Sequence, residues 1–170
     1  MSTLEIRDVG YDHPDAGLLV EQVQAEYVRR YGGRDEAPIE PDQFSRQQGL
    51  FAVGYLGARP VVMGGWRLHQ PDHPQTGWAS PAAELKRMYV DTEQRGRGFA
   101  RSMLGYLERS AHQHGVRWLL LETGSKQPEA IALYRSTGYV QVPPFGHYAD
   151  MEHSLHLGKE LAGQAGEQAG

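Results

Sequence analysis

The sequence predicts a mixed α/β fold, in which helices cover the faces of a central sheet, and three observations support this class. Stretches of alternating polarity, typical of strands, are interleaved with stretches whose apolar residues recur at helical spacing. The run WLLL at 118–121 is typical of a strand buried on both faces. The chain has 170 residues, 39% of them hydrophobic, which is enough for one domain with a substantial core. We expect one domain over residues 1–160 and a flexible tail over 161–170.

The first elements are a strand and a helix. Thr3–Val9 alternates apolar residues imperfectly with charges and predicts a short strand. Asp12–Arg30 carries an apolar stripe at three- and four-residue spacings, which predicts an amphipathic helix that stops at Gly32-Gly33. A polar loop follows, and a short helix is expected to begin near Pro41, because a missing amide is harmless in a first turn.

Three strands are expected in the middle of the chain. Leu50–Leu56 and Pro60–Leu68 are strand-like and are separated by a short hairpin connection. Gly64-Gly65 interrupts the second of them and indicates a bulge or a close backbone approach. A loop with three prolines covers 70–81. Ala83–Val90 is the next strand, and its apolar spacing breaks alternation, which predicts a bulge near Arg87.

The second half of the chain alternates helices and strands. Gly98–His114 has a helical apolar stripe and ends at a glycine, and Val116–Glu122 is the apolar strand that contains WLLL. Pro128–Thr137 is predicted as a short helix with proline in its first turn. Tyr139–Val142 is expected to form a brief strand, and alternation over Asp150–Leu157 predicts a terminal strand.

Composition excludes several classes of function. The net charge is −4 and the pI is about 6.0, and the chain has no long basic run, so its charge gives no case for nucleic acid. The absence of cysteine excludes disulfides, thiolate catalysis and cysteine-ligated zinc. Neither a signal peptide nor an apolar run of roughly 18–20 residues is found. We therefore expect a cytoplasmic protein that contacts neither nucleic acid nor a membrane.

The stretch QRGRGFAR at 94–101 lies between a predicted strand and a predicted helix. A helix amino terminus offers unpaired amides that bind anions, and Gly96 and Gly98 would let a phosphate approach them. Arg95 or Arg97 could add charge-assisted hydrogen bonds. The stretch therefore predicts a pyrophosphate-binding turn, and the alternative is a solvated helix start. No Gly-Lys-Ser/Thr tripeptide occurs, and a dinucleotide fingerprint would need glycine where Arg101 stands.

Two motifs resemble those of the GNAT superfamily of N-acetyltransferases, which transfer acetyl from acetyl-CoA to amines. ELKRMYVDTEQRGRGFARSML is similar to motif A, whose Arg/Gln-x-x-Gly-x-Gly/Ala pattern falls on Arg95, Gly98 and Ala100. QPEAIALYRSTGYV is similar to motif B, with Tyr134 as its helix tyrosine. The chain departs from the pattern at Gln127, where many members carry asparagine. The amide chemistry is retained, so Gln127 is still expected to serve cofactor binding.

The resemblance implies a fold and a cofactor. The fold is a mixed, mostly antiparallel, splayed sheet of six to seven strands flanked by about four helices, and acetyl-CoA lies where the fourth and fifth strands diverge. Backbone groups of Met88, Tyr89 and Val90 would bind the acetyl carbonyl and the pantetheine arm. The pyrophosphate would be held by backbone amides of the turn, which are those of Arg95, Gly96, Arg97, Gly98, Phe99, Ala100 and Arg101.

Acetyl transfer to an amine needs a neutral amine, a stabilised oxyanion and a proton for the departing sulfur. Glu84, at the start of the strand that would carry the thioester, is the first candidate base, and Glu122 is the second. For each of them the alternative is a structural or solvated carboxylate. A backbone amide near Met88 is the expected oxyanion donor. By similarity Tyr134 protonates the thiolate, and the alternative for Tyr134 is core packing.

The acceptor is expected between two walls. Acidic groups there would suit a cationic amine, although a charged loop is often merely solvated. One wall would contain Tyr27, Tyr31, Gly32-Gly33, Asp35 and Glu36, and the other Trp66, Phe145 and Tyr148. The eight histidines show no metal-ligand spacing, so no metal is expected.

These observations favour an acetyl-CoA-dependent N-acetyltransferase that acts on a primary amine of a small molecule or peptide, by direct attack in a ternary complex. Two alternatives stay open: an acyltransferase that uses another acyl-CoA or an O-acceptor, and a catalytically silent acyl-CoA-binding sensor. The sequence does not decide between a monomer and a homodimer.

Overall fold

A seven-stranded sheet, with helices on both faces, is the centre of the structure over the described residues. The structure is a computed structural model that describes residues 2–69 and 81–161. Residues 70–80 of the predicted loop at 70–81, and residues 162–170 of the predicted tail at 161–170, lie outside the described residues. The elements are β1 (Leu4–Asp8), α1 (Pro14–Tyr31), β2 (Gly49–Leu56), β3 (Arg59–Leu68), β4 (Ala82–Val90), α2 (Phe99–Gln113), β5 (Trp118–Gly124), α3 (Pro128–Ser136), β6 (Val140–Gln141) and β7 (Ser154–Glu160).

The order of strands across the sheet is β1-β2-β3-β4-β5-β7-β6. Among the described strands only β4 and β5 pair in parallel, because α2 carries the chain from one to the other. These two strands pair only where Ala82–Glu84 faces Trp118–Leu120, and they diverge afterwards. The predicted mixed, mostly antiparallel, splayed sheet is therefore confirmed. Over the described residues its helices are three α-helices and two short 3-10 helices, Pro41–Phe44 and Thr92–Gln94.

Helix α1 covers one face of the sheet. Its amino terminus is capped by the His13 ring, which accepts a hydrogen bond of 3.1 Å from the amide of Asp15, and Pro14 occupies the first turn. At its other end Gly32 adopts a left-handed φ of 80°. The apolar stripe of α1 packs with Phe51, Val53 and Met63 of the sheet. The helix begins two residues later than the apolar pattern predicts, because His13 is used as the cap.

Helix α2 covers the opposite face. Its buried residues are those of the predicted stripe, Met103, Leu104, Leu107 and Ala111, together with Ser110. The residues of the stripe pack with strand side chains such as Val62 and Leu119. Neighbouring residues of a strand point to opposite faces of the sheet, so these side chains lie on the face opposite to the one that α1 covers. Helix α3 joins the same cluster through Tyr134. The sheet is therefore enclosed on both sides around its parallel pair.

Strand β4 contains the predicted bulge. The register between β3 and β4 shifts between Met63 and Gly65, and opposite this shift Arg87 adopts a φ of 59°. A left-handed conformation costs a residue with a Cβ roughly 1–2 kcal/mol, so it persists only where the surrounding structure holds it. Gly64 makes the predicted close approach, since a Cβ there would lie 2.5 Å from the sulfur of Met88.

The last strand differs from its prediction. Alternation placed it over Asp150–Leu157, whereas β7 runs over Ser154–Glu160. Residues 146–153 form turns instead, including a hydrogen bond from the Met151 amide to the Tyr148 carbonyl. The strand extends to Glu160 because its backbone pairs with β5 as far as Trp118, and Gly158 fits closely beneath Leu120.

Among the described residues, no helix has the length and hydropathy needed to cross a membrane.

Candidate active site

The divergence of β4 and β5 opens a cavity of about 660 Å³. Its walls are the residues just beyond the last β4–β5 pair on each strand, the loop after α1, one side of α3 and the segment before β7. Neither strand can close the gap with ladder hydrogen bonds, because the other strand has moved away. The cavity therefore borders strand backbone that is free to bind a ligand.

The carboxyl-terminal end of α1 spans the gap and contacts the turn between β5 and α3. Arg30 donates a hydrogen bond of 2.8 Å from Nη1 to the carbonyl of Lys126. The Tyr31 hydroxyl lies against Gly124, where an added Cβ would be only 2.0 Å from it. A side chain at position 124 would therefore have to displace the Tyr31 ring from this contact.

The turn between β4 and α2 has the geometry of an anion site. Gly96 and Gly98 have φ values of 76° and 80°, and a Cβ at either position would meet no atom within 4 Å. The first hydrogen bond of α2 runs 3.0 Å from the Ser102 amide to the Gly98 carbonyl, so the amides of residues 99–101 precede it and have no intrahelical acceptor. Open space in front of such amides suits a phosphate. The assignment of this turn to pyrophosphate stays a prediction.

The arginines of this turn have different environments. Arg95 makes a bidentate ion pair with Glu26 of α1, at 3.0 and 2.9 Å, and its Nε donates to the Val90 carbonyl. Burial alone would raise the pKa of Glu26, but the Arg95 and Arg30 guanidiniums outweigh it and lower that pKa. Arg97 and Arg101 form no ion pair with a carboxylate in the described part of the chain. Two of the three arginines are therefore uncompensated by acidic side chains.

Tyr134 lies on α3 and lines the cavity. It is only 6% exposed, and its ring packs edge to face against Tyr139 with centroids 5.5 Å apart. Burial raises the pKa of its phenol, because the phenolate is the form that loses hydration. The hydroxyl is thus protonated throughout the working range of pH. Gln127, at the amino terminus of the same helix, also lines the cavity.

The two candidate bases lie on opposite sides of the point of divergence. Glu84 faces Leu120 in the last β4–β5 pair and lies outside the cavity lining. Its side chain is 12% exposed and contacts Arg67 at 3.4 Å and Lys86 at 3.7 Å. Glu122 lies two residues beyond the last pair and lines the cavity. Burial raises the pKa of Glu122, although a Ser154 hydrogen bond and the Lys86 charge oppose this rise.

A buried charge cluster, not identified from the sequence, forms another part of the cavity wall. Asp35 accepts hydrogen bonds from Arg87, from the Tyr148 hydroxyl and, at 3.0 Å, from the Ala37 amide. Burial alone would raise the pKa of Asp35, but Lys86, Tyr148 and Arg87 together lower it. Burial and the same Asp35 contact raise the pKa of Tyr148 to about 12. The signal in the sequence was the pair of basic residues, Lys86 and Arg87, inside a strand whose other members are apolar or aromatic apart from Glu84.

The predicted acceptor walls are partly brought together. Trp66 packs under α2, where its Nε1 donates to Ser110 at 3.3 Å, so it belongs to the core. Phe145 packs edge to face against His156 with ring centroids 5.0 Å apart, outside the cavity lining. The predicted wall residues that do line the cavity are Tyr27, Tyr31, Gly33, Asp35, Glu36 and Tyr148.

Over residues 2–69 and 81–161, no group of three or more histidine, aspartate or glutamate side chains is arranged to hold a metal ion. One predicted loop histidine, His73, lies outside these ranges.

Comparison with known proteins gives a family. The sequence model of the Acetyltransferase (GNAT) family matches residues 19–139. An IAA acetyltransferase of Azospirillum brasilense is 42% identical over 78 residues, which is 46% of this chain and 51% of that protein. The uncharacterized N-acetyltransferase YjgM of Escherichia coli K12 is 31% identical over 137 residues, 77% of this chain and 78% of that protein. The chain thus spans about half the length of the Azospirillum relative.

Solved structures share the fold. A Klebsiella pneumoniae structure described as an acyl-CoA N-acyltransferase has a TM-score of 0.75 and 25% identity, over 94% of this chain and 99% of that one. The PaiA N-acetyltransferase of Thermoplasma acidophilum, solved in complex with coenzyme A, has a TM-score of 0.65 and 12% identity, over 93% and 99% of the two chains. The splayed sheet, the glycine turn and the family match agree, and the chain belongs to the GNAT acetyltransferase family.

Proposed function

We propose that the protein transfers the acetyl group of acetyl-CoA to a primary amine of a small molecule or peptide, by direct attack in a ternary complex. One observation carries the proposal. The cavity between the diverging strands has both a half-buried carboxylate, Glu122, and a buried phenol, Tyr134, on its walls. An acid and a base at one site are what amine acetylation requires, and membership of the GNAT family supports the same reaction.

Acetyl-CoA supplies an activated thioester, and the chain offers groups that fit it. Backbone groups of Met88, Tyr89 and Val90 lie on β4 beyond its last pair with β5 and would bind the acetyl and pantetheine portions. The open glycine turn suits the pyrophosphate, and the uncompensated Arg97 and Arg101 add positive charge beside it. Gln127, on the cavity wall, would offer its amide to the pantetheine arm.

The proton transfers are assigned by burial and position. We assign the base to Glu122, because it lines the cavity and because its raised pKa brings it nearer to neutral pH, where a base accepts and releases protons well. Glu84 is the alternative base, and its two cationic neighbours would have to give up part of their pairing. The neutral amine attacks the carbonyl carbon, the carbon–sulfur bond breaks, and Tyr134 donates its proton to the sulfur.

The test combines calorimetric titration with acetyl-CoA and a thiol-release assay over a panel of primary amines, with the product identified by mass spectrometry. Acetyl-CoA should bind, and at least one amine should gain one acetyl group as free thiol appears. Tight binding with no turnover of any amine would indicate an acyl-CoA sensor instead. Glu122→Gln and Glu84→Gln, assayed side by side, decide which carboxylate is the base.

A further inference from the structure

Two neighbouring cations on β4 line the acceptor part of the cavity. Lys86 and Arg87 are each only 8% exposed, and both belong to the cavity wall. In a regular strand, consecutive side chains point to opposite faces of the sheet. The left-handed φ of Arg87 breaks this alternation, so the strand presents two positive charges to one cavity.

The ion pairs of Lys86 and Arg87 leave one positive charge without a carboxylate of its own. Arg87 pairs with Asp35. Lys86 pairs with Glu84 at 3.7 Å, but Glu84 also pairs with Arg67 at 3.4 Å, so one carboxylate serves two cations. A buried cation without a full partner is costly, because it has given up its hydration. Among the described residues, three cations, Arg67, Lys86 and Arg87, therefore share two carboxylates, and Lys86 is the member on the cavity wall whose only paired carboxylate is shared.

Glu122 does not remove this excess when it acts as the base. Lys86 is close enough to lower the pKa of Glu122, which places the two groups beside the same space. Once Glu122 has taken the proton of the amine it is neutral, and Lys86 is again without a full partner. A ligand that brings its own anion next to its amine would match both groups.

We propose that the acceptor carries a carboxylate next to its amine, as a free amino acid does, and that Lys86 binds this carboxylate. The inference rests on the proposed function, since it names the substrate class of the same site. The ammonium of the acceptor faces Glu122, while its carboxylate takes the position opposite Lys86. The cavity of about 660 Å³ must also receive the acetyl end of the cofactor, which favours a small acceptor.

The probes are the standard L-amino acids and their carboxamides, compared by thiol release with acetyl-CoA. We expect kcat/KM for the preferred amino acid to exceed that of its carboxamide by at least about tenfold, the size of one charge-assisted hydrogen bond. The carboxamide has the less basic amine and therefore the larger neutral fraction, so amine reactivity works against this result. Equal or better use of the carboxamides would overturn the inference.

Variants of Lys86 test the assigned residue. Lys86→Met should lower kcat/KM for the amino acid about 10- to 100-fold and change that for the carboxamide less than about threefold. Lys86→Arg, which keeps the charge, should restore part of the preference. Lys159→Met is the matched control, because Lys159 pairs with Glu108 at 3.0 Å away from the cavity lining, and it should keep the preference. Equal losses for acid and carboxamide in Lys86→Met would contradict the assignment.

Failure of the proposed function can be told apart from failure of this inference. If other amines are acetylated and no amino acid is, only this inference fails. If no amine of the wider primary-amine panel is acetylated, the proposed function fails. The carboxylate site is then judged by calorimetric titration of the amino acids into the protein saturated with coenzyme A. Binding that Lys86→Met weakens at least about tenfold supports the site, and absence of binding overturns it.

Discussion

Replacing Tyr134 by phenylalanine separates catalysis from stability, because the hydroxyl and the ring have different surroundings. The ring is packed against Tyr139, while the hydroxyl makes no hydrogen bond with another described residue. Phenylalanine keeps the packing of the ring and removes only the hydroxyl, so no hydrogen bond with another described residue is lost. Tyr134→Phe should therefore leave the free energy of unfolding unchanged or raise it by about 1 kcal/mol.

The same change should lower turnover strongly. A positioned general acid contributes roughly 10²–10⁴-fold, which corresponds to about 3–5 kcal/mol of transition-state stabilisation. Affinity for acetyl-CoA should change little, since the proton transfer is made only in the transition state. Because burial raises the pKa of Tyr134, the wild-type enzyme should show no loss of activity at mildly alkaline pH that originates from this phenol.

Tyr139→Phe is the matched control. The Tyr139 hydroxyl contacts Glu108 at 3.1 Å on the side of α2, outside the cavity lining. Its removal should cost roughly 0.5–2 kcal/mol of stability and leave turnover intact. The measurements are urea unfolding and thiol release on both variants. Near-normal turnover of Tyr134→Phe across the pH range would refute the acid assignment and leave water as the proton donor.

Three further predictions concern the carboxylate, the turn and its arginine. Burial raises the pKa of Glu122, so the stability that comes from its protonated form is present in acid and lost as the pH rises through that pKa. Glu122→Gln should accordingly unfold like the wild type in acid, resist urea better than the wild type at neutral pH, and lose most turnover. If the variant and the wild type were equally stable at both pH values, the burial argument would be contradicted. Gly98→Asp should abolish acetyl-CoA binding in calorimetry. The control is Gly115→Asp at the other end of α2, which has the same φ of 80° and should bind acetyl-CoA normally. Binding by both variants would show that the turn is not part of the acetyl-CoA site. Arg95→Ala should weaken acetyl-CoA binding by about 1.5–3 kcal/mol. Glu26→Gln removes the ion-pair partner of Arg95 and should not weaken binding. If Glu26→Gln weakened binding more than Arg95→Ala did, Arg95 would have a purely structural role.

Local patterns in the sequence were sufficient for most of the helices and strands, whereas the splayed sheet was expected from the resemblance to the GNAT superfamily. The helical stripe of α2, the apolar run of β5 and the broken alternation at Arg87 each depend on a few adjacent residues. The start of β7 could not be read in this way. Alternation continues through residues 151–153, and only backbone pairing with β5 decides where the strand begins.

The site was less predictable because its contacts join distant segments. Asp35 and Arg87 are 52 residues apart, and Asp35 and Tyr148 are 113 apart. Nothing in their neighbours indicates that they meet. The choice between the two candidate bases also could not be made from adjacent residues. Whether Glu84 or Glu122 lines the cavity depends on where β4 and β5 stop pairing, which is a property of the whole sheet.

The bulge at Arg87 makes the length of β4 as important as its composition. The extra residue shifts the phase of the strand, so that the residues before it and those after it follow different alternations. Deleting one residue there would restore a regular pleat and turn one half of the strand over, which would carry either Lys86 or Met88 to the wrong side. An acceptor site grafted from a homologous strand into this one must therefore keep the insertion as well as the side chains.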